Sequence, residues 1–454
     1  MLKKNDRVNL RIERLGSNAE GIARINDFVV FVPFALPGET VDALIVSVKR
    51  NYAFAKLMGV LIASPDRIDP LCPYYGRCGG CTCQHMRYEA SLTFKRDVVE
   101  DCFKKIAKCD VPIADTVGME HPWRYRNKTA APIQASGDTP VSGFFAPRSH
   151  RLIPIDDCPI AAEQSGLINK AVLEWMQQNN VSAYCEQTHT GIVRHIVSRT
   201  NRAGESMVLL VINAKELPHA DALISSLHSC GASVTTAAYS VNTKQNNTIL
   251  GSSFHVLYGN GYITESLLDL KFRISPLSFF QVNSIQAEKL YAKAIELCAL
   301  DGHETVADLY CGTGTIGLCF AKRARRVVGV EIEPTAIVDA KENSRLNGIK
   351  NAEFLCGKSE ELLPAMLQDG FQPDVVVLDP PRKGAAPELL EAIAACNVPK
   401  IVYISCHPAT QARDAEILVH QAGYRIAACQ PVDMFCQTSG IENILLFEKA
   451  VTPS

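Results

Sequence analysis

Apolar and polar positions alternate at the start of this chain. Near residue 283 they give way to short apolar runs separated by amphipathic segments of helical length. Successive side chains on a strand point to opposite faces, so strict alternation marks a sheet with one wet face. Arg7 to Arg14 and Val41 to Val48 alternate, Phe28 to Phe34 is rich in β-formers, and Leu36-Pro37-Gly38-Glu39 reads as a turn. Several short strands in so few residues predict a small β-barrel of the OB type over residues 1–62. In the last third, Ser284 to Leu300 is amphipathic at the helical period. Val306-Ala307-Asp308-Leu309, Arg326 to Glu331, Asp374 to Asp379 and Lys400 to Ser405 are continuous apolar runs of strand length. Such runs suit strands buried on both faces, and their alternation with helices predicts a doubly wound, largely parallel sheet over residues 275–454. Residues 63–274 read as mixed α/β, entered through a Pro-rich stretch from Ser64 to Pro73.

Composition narrows this picture. At 454 residues the chain calls for two or three domains, and 47% hydrophobic with 21% charged residues describes a folded globular protein. A net charge of −2 supplies no general attraction to nucleic acid, so any such surface is local. Two places fit: Arg11, Arg14, Arg24, Lys49, Arg50 and Lys56 with Tyr52 and Phe54 in the barrel, and the run Arg124, Arg126, Lys128, Arg148 and Arg151. The 17 cysteines sit in a chain with ample core-forming residues and no signal-peptide pattern at its start. No apolar run reaches the roughly 20 residues of a bilayer span. A cytoplasmic protein, monomeric and without a membrane partner, is therefore expected, its clustered cysteines binding metal or doing chemistry.

Four constellations carry chemistry. Gly312, Gly314 and Gly317 in Asp308-Leu309-Tyr310-Cys311-Gly312-Thr313-Gly314 follow a strand and precede a helix, letting backbone approach a ligand closely. Glu331, at the end of the next strand, is placed to accept hydrogen bonds from a ribose, which leaves a dinucleotide or S-adenosylmethionine open. Leu378-Asp379-Pro380-Pro381-Arg382 puts a carboxylate and a rigid turn at the ligand-binding edge of the sheet, which favours methyl transfer over nicotinamide chemistry. Arg382 could hold a phosphate or base, or form a surface ion pair. Cys406, in Ser405-Cys406-His407-Pro408, follows a buried strand and precedes a helix near Ala409, a position that favours a thiolate. A thiolate adding to carbon 6 of uracil makes carbon 5 enolate-like and able to take a methyl group, after which a base removes the carbon 5 proton. Finally, Cys72, Cys78 and Cys81 around Gly79-Gly80, with distant Cys158, form a four-thiol set suited to zinc or an iron–sulfur cluster, Cys83 competing as a ligand.

Taken in chain order, the barrel, the cysteine set, Phe279-Phe280-Gln281-Val282-Asn283, the glycine-rich run, Leu378 to Arg382 and Ser405 to Pro408 span essentially the whole chain and resemble the RNA uracil-5-methyltransferase family, particularly its 23S ribosomal RNA branch. The resemblance implies an N-terminal TRAM barrel, a central α/β domain in which Cys72, Cys78, Cys81 and Cys158 hold a [4Fe–4S] cluster, and a Rossmann-like methyltransferase domain. It implies an S-adenosylmethionine pocket containing Gln281, Tyr310, Gly312, Glu331 and Asp379, with Cys406 as nucleophile. It further implies a helical excursion near residues 85–116 packed on the catalytic domain. Its general base corresponds to Glu442 in Gly440-Ile441-Glu442, where the family usually has His in place of Gly440. His407 likewise stands where Asn is usual, and Phe435-Cys436-Gln437-Thr438 replaces F-P-x-T. A transfer RNA or cytosine substrate, and an RNA-binding or folding factor without catalysis, are the alternative readings. A cluster-based redox enzyme fits less well, because it leaves Cys406 without a role.

Overall fold

The computed structural model describes residues 2–450. Six short strands from Arg7–Arg11 to Tyr52–Ile62 form one sheet. Its inward positions, including Leu10, Val30, Val32, Val41, Ala43 and Ile45, meet in a single core. One sheet that fills its own core has curled on itself, as a barrel must. The alternation in Thr40–Val48 is the cause: Val41, Ala43 and Ile45 are fully buried while their neighbours face outward. The strand Glu20–Ile25 escapes the alternation rule, because its central residues Gly21, Ile22 and Ala23 are buried in succession. Glu39, in the predicted turn, is wholly buried, paired with Arg67 and hydrogen-bonded to the amides of Leu36 and Ser64, which locks the barrel to the following segment.

A seven-stranded sheet occupies the middle of the chain, ordered from His255–Tyr258 at one edge to Leu152–Pro154 at the other. The helices Glu163–Gln178 and Ala220–Ser229 share one core with it, centred on Trp175 and Leu210.

The last third is a second seven-stranded sheet, ordered Ala352–Cys356, Arg326–Glu331, Thr305–Leu309, Val375–Leu378, Lys400–Ser405, Glu442–Lys449 and Tyr424–Val432. The first five strands are parallel, and Glu442–Lys449 runs antiparallel to both its neighbours. Helices cover both faces in two separate cores. Strand order reverses between Thr305–Leu309 and Val375–Leu378, so loops diverge there and open a crevice at the carboxyl ends of the strands. The helix Tyr88–Cys102 and the turn after it lie far from this region in sequence. Yet Val99, Phe103 and Ala107 are buried in the same core as Ala412, Ala415 and Leu418 of the helix Pro408–His420. Among the described residues no helix is long and apolar enough to cross a membrane.

Candidate active site

The glycine-rich turn takes its shape from positive φ angles at Tyr310 (+67°), Gly312 (+54°) and Gly314 (+78°). A tyrosine held in the left-handed region is strained, and such strain gathers at functional turns. Asp308 lies fully buried beneath the turn. Its Oδ2 accepts a hydrogen bond from the Gly317 amide at 2.8 Å, while Oδ1 has no partner. A Cβ on Gly317 would lie 2.7 Å from Oδ2, so only glycine permits this contact. Burial pushes the Asp308 carboxyl up to about 7, against the pull of the Gly317 amide, and Asp379 and Glu331 raise it further. Glu331 accepts from the amides of Gly312 (3.1 Å) and Glu333 (3.0 Å), one on each oxygen. That fixes the plane of the carboxylate and leaves each oxygen a lone pair for a ligand hydroxyl. No atom lies within 4 Å of where a Gly312 Cβ would stand, so backbone is open to a ligand there. An adenosine-bearing methyl donor fits this donor and acceptor set. Gln281 is buried on the loop before the helix Ser284–Cys298, its carbonyl accepting from Asn127 Nδ2 at 3.0 Å.

Across the crevice the strand Lys400–Ser405 delivers Cys406, half-buried at the start of the helix Pro408–His420. His407 caps that helix by accepting the Thr410 amide on Nδ1 at 3.3 Å, an acceptor role asparagine also fills. The pairing of Ser405 with Asn443 sets Cys406 beside Glu442 at adjacent strand ends, within the fields of Arg382 and Asp379. Burial raises its thiol pKa first and Glu442 adds to the rise, while the charge of the Arg382 guanidinium draws it back. The resting thiol is therefore held above its ordinary value, not below it as the helix terminus alone predicts.

Glu442, only 3% exposed, opens the strand Glu442–Lys449, and its Oε2 has no hydrogen-bond partner. Burial, and then the charge of Asp379, push its carboxyl well above the usual range, with Arg382 opposing. Burial also raises Asp379. A buried carboxyl with a free oxygen and a raised pKa is what a proton acceptor near neutral pH requires. Sequence reasoning missed Tyr291, buried on the helix Ser284–Cys298. Burial and Asp379 keep its hydroxyl protonated, and Thr315 and Glu442 lie in its surroundings. At the helical period it is indistinguishable from a core residue.

Cys72, Cys78, Cys81 and Cys158 line one cavity of about 200 Å³, together with Tyr75, Gln84 and Thr438. The four thiols come from a tight turn and from a loop that Arg124 clamps through Asp157 (2.6 Å) and the Cys158 carbonyl (3.0 Å). A Cβ on Gly79 would stand 3.0 Å from the Phe145 carbonyl, so a larger residue there would press on that strand. Among the described residues no three His, Cys, Asp or Glu side chains converge as the ligands of a single ion do. Four thiols spaced around a cavity suit a polynuclear iron–sulfur group, whose irons each take one thiolate. Cys83 is fully buried elsewhere, in a core with Leu36, Met86 and Phe94. Arg124 is thus engaged within the protein, unlike the free phosphate contact its sequence context suggests. Arg148 lies over the Phe54 ring at 5.5 Å, covering an aromatic read from sequence as a base-stacking surface.

The TRAM domain family matches residues 2–58, and the family described as tRNA (Uracil-5-)-methyltransferase matches residues 251–450. An uncharacterized RNA methyltransferase of Clostridium tetani is 44% identical over 98% of this chain and 97% of its own length. One from Halalkalibacterium halodurans is 42% identical over 98% of each. Among solved structures, the Pyrococcus abyssi tRNA (uracil-54, C5)-methyltransferase in complex with S-adenosyl-L-homocysteine superposes with a TM-score of 0.77 at 27% identity. The match covers 97% of this chain and 100% of that one.

Proposed function

Because the chain belongs to the RNA uracil-5-methyltransferase family, with S-adenosylmethionine as methyl donor, we propose that it methylates carbon 5 of one specific uridine in cytoplasmic 23S ribosomal RNA. Cys406 adds to carbon 6 as the thiolate, and carbon 5 then bonds the donor's methyl carbon while the methyl–sulfur bond breaks and its electron pair stays on the sulfur. Glu442 then takes the carbon 5 proton. The electron pair of that C–H bond restores the 5,6 double bond, and the Cys406 thiolate leaves carbon 6. The observation that carries this reading is the strand register that sets Cys406 beside Glu442, Ser405 pairing with Asn443, with Asp379 at the end of the next strand over. Arg382, which favours the charged form of both Cys406 and Glu442, balances the thiolate and the carboxylate. Gln281, Tyr310, Gly312, Glu331 and Asp379 bind the donor. Cys72, Cys78, Cys81 and Cys158 would hold a [4Fe–4S] cluster, which supplies cross-linking of the central region and no step of methyl transfer. A stacked uracil cannot offer its carbon 6 face to Cys406, so the target lies in a loop or flips out.

The TRAM barrel together with the four-cysteine set supports the ribosomal branch. Transfer RNA is the second reading, favoured by the full-length likeness to the Pyrococcus abyssi enzyme. Methyl incorporation into purified 23S ribosomal RNA and transfer RNA from a strain lacking the gene, followed by mapping of 5-methyluridine, separates them. Incorporation into transfer RNA alone sinks the ribosomal assignment, and incorporation into neither sinks the enzymatic one.

A further inference from the structure

Glu442 follows a loop, residues 433–441, whose Met434 and Ile441 are buried in the two cores of the sheet and which is closed by the pairing of Val432 with Glu442. Asn283 Nδ2 and Gln286 Nε2 donate to the Met434 and Asp433 carbonyls at 3.2 and 3.1 Å, and a larger set of bonds comes from residues 82–125. The amides of Thr82 and Cys83 both donate to the Gln437 carbonyl at 3.0 Å, and the Ser439 amide donates to Thr82 Oγ1 at 2.9 Å. Lys95 is paired with Asp433 in full burial and also donates to the Phe435 carbonyl at 3.2 Å. The Tyr88 hydroxyl donates to Asp433 at 2.7 Å and accepts the Met119 amide at 2.8 Å, and the Tyr125 hydroxyl donates to the Cys436 carbonyl at 2.9 Å. Gln437 is held at a φ of +67°, a conformation a non-glycine residue keeps only when its surroundings impose it. Thr438, in the same loop, lines the cysteine cavity. The Glu442 Oε2 has no hydrogen bond of its own, so its place follows from the backbone that delivers it, set by the pairing of Glu442 with Val432 and by the loop that leads into it.

We infer that the segment from Thr82 through Tyr88 to Lys95 is a strap that positions the general base, coupling the four-cysteine turn to the proton-removal step. The inference rests on Glu442 being the base. Thr82, Tyr88 and Lys95 are positioning residues: none reaches the reacting atoms, and each acts through the loop. Their loss slows the last step and spares the first, because Cys406 belongs to a different strand end.

The test uses the full-length protein purified anaerobically with its iron. Single-turnover reactions with target RNA and S-adenosylmethionine are followed on denaturing gels for formation and decay of the methylated protein–RNA adduct. Thr82→Val removes one hydrogen bond at nearly constant shape and should slow adduct decay about tenfold, the weight of one such bond. Thr82→Ser restores the oxygen and should decay at the wild-type rate. Tyr88→Phe should slow decay by up to about 10²-fold, the scale of a misplacement near 1 Å. Adduct formation, RNA affinity and iron content should match wild type in all three. Wild-type decay in both Thr82→Val and Tyr88→Phe, in a protein whose Glu442→Gln variant traps the adduct, overturns the strap and leaves the base in place. Equal slowing of formation and decay overturns it as general damage. Wild-type decay in Glu442→Gln removes the base assignment, and the strap falls with it.

Discussion

The two halves of the crevice are built differently. The Cys406 half comes from neighbouring parallel strand ends of one sheet: the thiol and Asp379 each follow an apolar strand directly, Arg382 stands just past Pro380-Pro381, and His407 caps the next helix from its own side chain. The Glu442 half depends on partners remote in sequence. Tyr88 and Asp433 are separated by 345 residues, and Thr82 and Ser439 by 357. A nucleophile can be placed by local chain geometry, because a strand end and a helix start aim it together. A proton acceptor that works only after the methyl group has arrived must sit within hydrogen-bond reach of one atom, and a loop needs outside support to hold it there.

Substitutions should separate the halves. Cys406→Ala should bind RNA and S-adenosylmethionine yet yield neither adduct nor product, the largest effect expected. Retained activity on radiolabelled methyl transfer would end the covalent mechanism. Glu442→Gln should lower turnover by about 10²- to 10⁴-fold and accumulate an adduct that appears only with S-adenosylmethionine. Its absence from the Cys406→Ala, Glu442→Gln double variant checks that the thiol forms it.

Lys95→Met strands Asp433 as an uncompensated charge at full burial, and should cost about 3–5 kcal/mol of stability in urea unfolding. A loss below about 1 kcal/mol, the range of an exposed pair, would mean that water reaches Asp433 and the loop is loosely held. In the other half, Arg382→Ala removes a cation that lowers the Cys406 thiol pKa. Adduct formation requires the thiolate, so its rate should rise with pH through that pKa, and the rise should move to higher pH in the variant. An unmoved profile would place Arg382 outside the thiol's field.

The smallest effect concerns stability. The folded Glu442 carboxyl is raised above its unfolded value by burial. It therefore weakens the native state at pH above the unfolded pKa, about 4.3. The penalty grows as pH rises towards the folded pKa and disappears below the unfolded one. Glu442→Gln should be more stable than wild type at pH 7–8, by about 1–2 kcal/mol as for other relieved functional groups, and equal to it near pH 3. A less stable variant at pH 8 would show that the carboxylate is hydrogen-bonded in solution.

Much of the site could be read along the chain. The runs around Asp308, Glu331, Asp379 and Cys406 lie at strand ends within a residue or two of where periodicity predicts them, because an apolar strand and the helix after it are local patterns. Glu442 came only from likeness to a family, since nothing near Gly440-Ile441 distinguishes it from a surface glutamate. The structure gives Gly440 a physical context: a Cβ there would lie 3.1 Å from the Phe435 ring, so a histidine would displace that side chain. Arg124 misled for the opposite reason. Its basic neighbours suggest a phosphate contact, but its partner Asp157 lies 33 residues away.

By itself the sequence determined which strand ends carry acids, thiol and glycines, because side-chain alternation and strand-to-helix turns depend only on neighbouring residues. It determined the four-cysteine set as a composition, and the barrel as a repeating alternation. Tertiary structure decided which charges oppose one another: Arg382 against Cys406 and Glu442, Arg124 against Asp157, Lys95 against Asp433. It also decided that Tyr291 lies beside the acids rather than simply in the core, and that the loop before Glu442 is held by residues 82–125. The physical reason is range. Hydrogen-bonded periodicity acts over a few residues, whereas burial and Coulomb interaction depend on distance in space, and only the folded chain brings those groups within a few ångströms.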